Sequence, residues 1–213
     1  MKIAVYTAII GGYDDPKPFI PQNVDCDYFL FTDNSRIPDQ FKQLSPRMQA
    51  KWYKLHPHVL FPDYDLIIWV DGCAYFLSDR FVERMIKEIG DNEIMCCRHP
   101  ENRNCIYDEA EYCKNMPKYV SQPIDNQVEQ YKNDGYPRQN GLYACGIIVS
   151  KPTTNTKIFM GAWWYENVSK TYQDQLSFPY VSWKLKIPVK MCEINIYKNQ
   201  YVEFRTDQHK SLL

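Results

Sequence analysis

Leu66–Val70 reads LIIWV, and the next three residues are Asp71-Gly72-Cys73. A strand with one solvated face alternates apolar and polar residues, and this run does not alternate. It therefore predicts a strand covered on both faces. Such a strand needs helices above and below its sheet, which restricts the chain to an α/β architecture. The carboxyl ends of strands are also where open α/β sheets bind ligands. A lone carboxylate, Asp71, stands at that end, with a thiol instead of a second acid two positions later.

The other segments agree with an α/β order. Ile3–Ile10 is apolar and β-branched and stops at Gly11-Gly12, as a first, central strand would. Tyr28–Thr32 predicts a second strand, Ile94–Cys97 and Leu142–Ser150 two more, and Val189–Ile194 a last one before a polar tail. A helix is expected from Pro46, with Ser45 as its N-cap and Pro57 beyond its end. Ser78 would cap a helix running to about Ile89, stopped by Gly90. Further helices are expected over Tyr107–Asn115, Asn126–Lys132, Thr154–Glu166 and Asp174–Leu185. The expectation is one domain over 1–213, whole or cut from a longer chain. Its core would be a mixed, mostly parallel sheet of about six strands flanked by helices. The ligand edge would collect the Thr7–Tyr13 turn, Thr32-Asp33-Asn34, Asp71-Gly72-Cys73 and whatever follows Ser150.

Composition narrows the partners. The 213 residues carry a formal net charge of −1, so no global field points to nucleic acid. Eight cysteines, at 26, 73, 96, 97, 105, 113, 145 and 192, form no C-x-x-C pair. Reduced thiols and a cytoplasmic location are expected from that pattern. The N-terminal apolar run is too short for a membrane span and lacks a signal-peptide layout, and no transmembrane segment is expected. The 17 Tyr, 10 Phe and 5 Trp would suit a pocket that stacks bases or sugar rings, although most such residues simply pack a core.

Several stretches could carry chemistry. IIGGYDD lacks both the G-x-G-x-x-G fingerprint and the G-K-[ST] loop, which argues against dinucleotide binding and ATPase chemistry. Arg47, Lys51 and Lys54 fall on one face of the helix from Pro46. That stripe is either a diphosphate site or the solvated side of an amphipathic helix. Asp71 is either an oxygen ligand for a hard divalent cation or a turn aspartate. CCRHPENRNC invites a zinc reading, but adjacent Cys96 and Cys97 would point to opposite faces of a strand.

The blocks YTAIIGGYD, FTDN, RMQAKWYKLHPHVLFPDYDLIIWVDG, RHPENRNCIYDEAEYC and DQLSFPYV, in that order, resemble glycosyltransferase domains of the GT-A type. The resemblance spans Tyr6 to Val181, and the chain looks in particular like chlorovirus members that build capsid-protein glycans. It implies transfer of a hexose, such as glucose from UDP-glucose, to a hydroxyl of an oligosaccharide or glycoprotein acceptor. It further implies Mn²⁺ or Mg²⁺ as cofactor and, for a viral member, the cytoplasm of an infected host cell.

Carried over residue by residue, the resemblance assigns Thr7, Ala8, Tyr13 and Asp33 to the uracil and ribose. Arg47 and Lys51 would face the diphosphate. Asp71 and Gly72 match the start of the D-x-D metal motif, whose second acid is replaced by Cys73, a poor ligand for a hard cation. His209 is the expected further metal ligand. Asp174 stands where inverting members keep a base, and it could equally cap the helix that follows it. His99 and Asp108 are expected to line the sugar or acceptor pocket, with a structural role the alternative for His99. Two other functions would use parts of this pattern: a sugar-nucleotide nucleotidyltransferase and a non-catalytic carbohydrate-binding module.

Overall fold

The computed structural model describes residues 1–101, 103–206 and 209–210. Its eight strands are β1 (Ile3–Ala8), β2 (Asp27–Phe31), β3 (Leu66–Val70), β4 (Ala74–Phe76), β5 (Ile94–Arg98), β6 (Tyr143–Ser150), β7 (Lys190–Cys192) and β8 (Val202–Phe204). The helices are α1 (Pro46–Leu55), α2 (Pro57–Leu60), α3 (Phe81–Ile89), α4 (Ile106–Lys114), α5 (Ile124–Asn133), α6 (Thr154–Ser169) and α7 (Asp174–Leu185). Among the described residues no helix is long and apolar enough to cross a membrane.

Six strands form one sheet in the order β2-β1-β3-β6-β5-β7, and β4 pairs with β8 in a separate ribbon. β1 runs parallel to β2 and β3, and β5 parallel to β7, while β6 is antiparallel to both its neighbours. The sheet is thus mixed and mostly parallel. The continuous apolar runs are buried on both sides, as expected. Ala4, Tyr6 and Ala8 of β1, with Ile67 and Trp69 of β3, join the larger core cluster. Ile3, Val5, Leu66, Ile68 and Val70 join the cluster on the other face. Cys96 and Cys97 divide between the same two clusters, and all eight cysteines are free thiols.

The antiparallel run of β6 corrects one expectation. Ile67 pairs with Ser150 and Val70 with Ile147, so Ser150 lies at the far edge from Asp71. The start of β6 reaches the ligand edge instead, and the Asp71 amide donates to the Gly146 carbonyl at 2.9 Å. The polar tail was not expected to form a strand. It does so because β4, just past Asp71, offers an unpaired edge that β8 fills. Ser78 does not cap α3, which starts at Phe81; its hydroxyl accepts the Arg80 amide instead.

Candidate functional site

A cleft of ≈ 360 Å³ opens beyond the carboxyl ends of β1 and β3. Four pieces of chain build it: the turn after β1, the inner face of α1, the Asp71-Gly72-Cys73 corner, and the segment leading into α7. Of the residues singled out in the sequence, Ala8, Tyr13, Arg47, Lys51, Asp71, Gly72, His99, Asp174 and His209 line it.

Helix α1 is fixed at its start by Ser45, whose hydroxyl accepts the Met48 amide at 3.4 Å, and by Pro46 at its first position. Its lysine stripe turns inward, not to solvent: Lys51 and Lys54 are 8% and 5% exposed. Lys51 Nζ lies 2.5 Å from Asp174 Oδ1, and Lys54 Nζ 2.8 Å from Asp174 Oδ2. Lys54 also reaches Asp71 Oδ1 at 3.2 Å, where the Trp69 indole N–H donates at 2.7 Å. Two buried ammoniums and two carboxylates therefore form one network, in which Lys54, expected only as part of the basic stripe of α1, joins both acids.

The network sets the protonation of its members. Burial favours a protonated Asp174, but the charges of Lys51 and Lys54 overcome it and hold the carboxyl down at about 2. Burial likewise disfavours the Lys54 charge, which Asp174 and Asp71 outweigh, so this lysine is pushed up. For Lys51 burial prevails over the attraction of Asp174, and its value falls below that of an ordinary lysine. Asp174 is the first residue of α7, and no side chain caps that helix. A carboxylate with an ammonium on each oxygen is a weak base, so the geometry favours a positioning role over proton abstraction.

Asp14 is a further residue the sequence reading passed over. Gly11 and Gly12 both take φ values in the left-handed region, +70° and +65°, which glycine reaches without strain. The resulting turn swings Asp14 back onto the metal-motif corner, and a Cβ on Gly72 would lie 3.5 Å from Asp14 Oδ2. His209 Nδ1 meets Asp14 Oδ1 at 2.9 Å while its ring stacks on Tyr13 at 4.6 Å. The signal was present in GGYDD, where a glycine pair precedes two acids.

Three expected residues are not brought into the cleft. The Thr7 side chain falls on the opposite face of β1 from Ala8, in a small void behind the sheet, where its hydroxyl has no partner among the described residues. Asp33 is exposed, and its carboxylate accepts the Gly11 amide at 2.9 Å, which places it behind the loop rather than against a ligand. Asp108 sits on the outer side of α4, paired with Arg138 at 2.6 Å. One residue further along the same helix, Glu109 faces inward and lines the cleft at 2% exposure.

His99 packs beside it. Its Nδ1 accepts the Glu101 amide at 3.4 Å, so Nε2 carries the proton and faces Glu109 Oε2 at 3.9 Å. Burial, aided by Arg103, pulls this histidine down to about 4, and it is neutral near pH 7. Glu109 is pushed up by burial, against the pull of Arg103 at 2.8 Å.

The donor set of the cleft suits a divalent cation only in part. Among the described residues no three His, Cys, Asp or Glu side chains converge on one point. Cys73 is not a ligand for a hard ion: burial, then Asp71 and Asp14, push its thiol up, and it stays protonated. Asp71 Oδ1 is engaged by Trp69 and Lys54, whereas Oδ2 accepts no hydrogen bond among the described residues. Asp71 Oδ2 would fit a partial oxygen shell, of the kind that ligand oxygens and water would have to complete.

The model of one protein family, described as TOD1/MUCI70, glycosyltransferase-like domain, matches residues 39–210. That match begins after β1 and β2, which nevertheless complete the same sheet. The chain is also 28% identical over 222 residues to a protein of Arabidopsis thaliana named "Probable hexosyltransferase MUCI70". That alignment covers 86% of this chain and 37% of the plant protein, so the chain spans little more than a third of its relative.

Proposed function

Because the chain belongs to the TOD1/MUCI70 glycosyltransferase-like family, we propose that it transfers a hexose from a nucleotide sugar, most simply a UDP-sugar, to a glycan hydroxyl. The observation that carries the reading is the placement of Asp71 on the cleft at the end of β3, under a helix whose basic face points inward. The name of the plant relative supports the hexosyl part.

Asp71 Oδ2 is the protein oxygen that would hold Mn²⁺ or Mg²⁺, and such an ion supplies positive charge to a departing diphosphate. The Nδ1 of His209 is committed to Asp14, which leaves Nε2 as its only further donor. Tyr13, stacked against that histidine, offers a ring at the nucleotide end. The proposal gives the acceptor glycan the exposed rings of Tyr112 and Tyr197, which line the same cleft as His99 and Glu109. The expected inversion at the anomeric carbon depends on Asp174 as base. With both its oxygens on ammoniums, the proposal gives Asp174 the task of holding Lys51 and Lys54 instead.

Product analysis after incubation with a panel of UDP-sugars tests the reading, with thermal shift by UDP as the first step. Stabilisation by UDP and a new glycosidic product are expected. Release of pyrophosphate from a sugar phosphate and UTP would establish a nucleotidyltransferase instead. Binding of glycans with no response to UDP would leave a carbohydrate-binding module.

A further inference from the structure

Most cations of the cleft are already neutralised. Lys51 and Lys54 hold Asp174 and Asp71, and Arg103 pairs with Glu101 at 2.7 Å and Glu109 at 2.8 Å. Arg47 and Lys118 differ. Both line the cleft, and among the described residues neither enters an ion pair. Tyrosine rings hold them instead. The Arg47 guanidinium lies 5.0 Å from the Tyr172 ring and 5.4 Å from the Tyr13 ring, and Lys118 Nζ lies 4.9 Å from the Tyr119 ring.

The two supports are joined. Tyr119 and Tyr172 are in ring contact at 5.7 Å, and the Tyr172 hydroxyl donates to the Lys118 carbonyl. Aromatic faces orient a cation without cancelling its charge. The two charges also oppose each other: burial and then the nearby Arg47 push Lys118 below the ordinary lysine value. Two like charges that both line the cleft, neither held in an ion pair among the described residues, are relieved by a bound anion.

We propose that Arg47 and Lys118 together clamp the diphosphate of the donor, and that Lys51, expected for this task from its place on α1, serves Asp174 instead. The inference rests on the nucleotide-sugar reading above. As the bond from the anomeric carbon to the phosphate oxygen breaks, its electron pair stays on that oxygen and the diphosphate gains negative charge. The acceptor oxygen bonds to the anomeric carbon and passes its proton to water. A pair of unneutralised cations fixed at the leaving group stabilises that gain without rearranging.

Titration calorimetry on the full chain, with UDP, uridine and inorganic pyrophosphate at two salt concentrations, tests the clamp. Lys118→Gln is expected to weaken UDP binding about 10–100-fold, the loss of one charge-assisted contact. It should flatten the salt dependence and leave uridine binding unchanged, and Lys118→Arg should restore most of the affinity. Wild-type UDP affinity and salt slope in Lys118→Gln overturn the clamp while the transferase reading stands. If the wild type binds pyrophosphate in a Lys118-dependent way but not UDP, the clamp stands and the reading falls. If it binds neither, both fall.

Discussion

Lys54 reaches Asp71 Oδ1 at 3.2 Å with the same ammonium that holds Asp174 at 2.8 Å, so one residue of α1 ties the end of β3 to the start of α7. The lysine is 5% exposed, which shields this contact from the salt screening that makes surface pairs weak. It fixes the spacing of two acids that would otherwise repel.

Lys54→Met should therefore destabilise the fold as well as the site. Removing one partner of a buried ionic network leaves charge uncompensated and costs about 3–5 kcal/mol. Urea unfolding followed by circular dichroism measures this. A loss below about 1 kcal/mol would show that the carboxylates find another partner.

Asp71→Asn is expected to lower the transfer rate by at least about 10²-fold with the circular dichroism spectrum unchanged. The neutral amide keeps the shape and removes the charge at the end of β3. Cys73→Ser, at the place of the missing acid, should leave the rate near wild type, because the buried thiol is neutral there. A large loss in the serine variant would assign the thiol a role in the reaction.

The Asp174 carboxyl sets a limit on acid stability. Its folded value is depressed to about 2, below the roughly 3.9 of an unfolded aspartate. The stabilisation is thus present above about pH 4 and is lost as pH falls toward 2. Asp174→Asn should be less stable than wild type at pH 6, and the gap should close across that window. Thermal melts between pH 6 and pH 2 check the sign; a gap that widens on acidification would refute it.

Gly72→Ala probes the corner itself. A Cβ there would stand 2.7 Å from Ile9 Cγ1, far inside contact distance. Overpacking of this kind costs about 1–3 kcal/mol and would shift Ile9, which lines the cleft. Weaker UDP binding together with a lower melting temperature is expected. Wild-type values for both would mean that the Ile9 side chain rotates away freely.

Much of the architecture was legible because local rules are strong in it. LIIWV is the pattern expected of a strand buried on both faces, and β3 spans those same five residues. Ser45-Pro46 specified the start of α1, and Asp174–Leu185 formed the expected α7. A family resemblance carried by ordered blocks added the glycosyltransferase reading, which the match over 39–210 supports at the level of the family.

What lay beyond the sequence was the side from which each group meets its neighbours. Helical spacing put Arg47, Lys51 and Lys54 on one face but could not say whether that face met water or Asp174, which is 123 residues from Lys51 along the chain. Strand alternation turned Thr7 away while Ala8 lined the cleft, and one step along α4 exchanged Asp108 for Glu109. The reversed run of β6 carried Gly146, not Ser150, to the ligand edge, and the pairing of β8 with β4 brought the tail back toward Asp14. Residue types and local periods determined which elements form and which edge binds. Long-range pairing, which depends on strand direction and on burial across the whole chain, decided which charges cancel and which stay free.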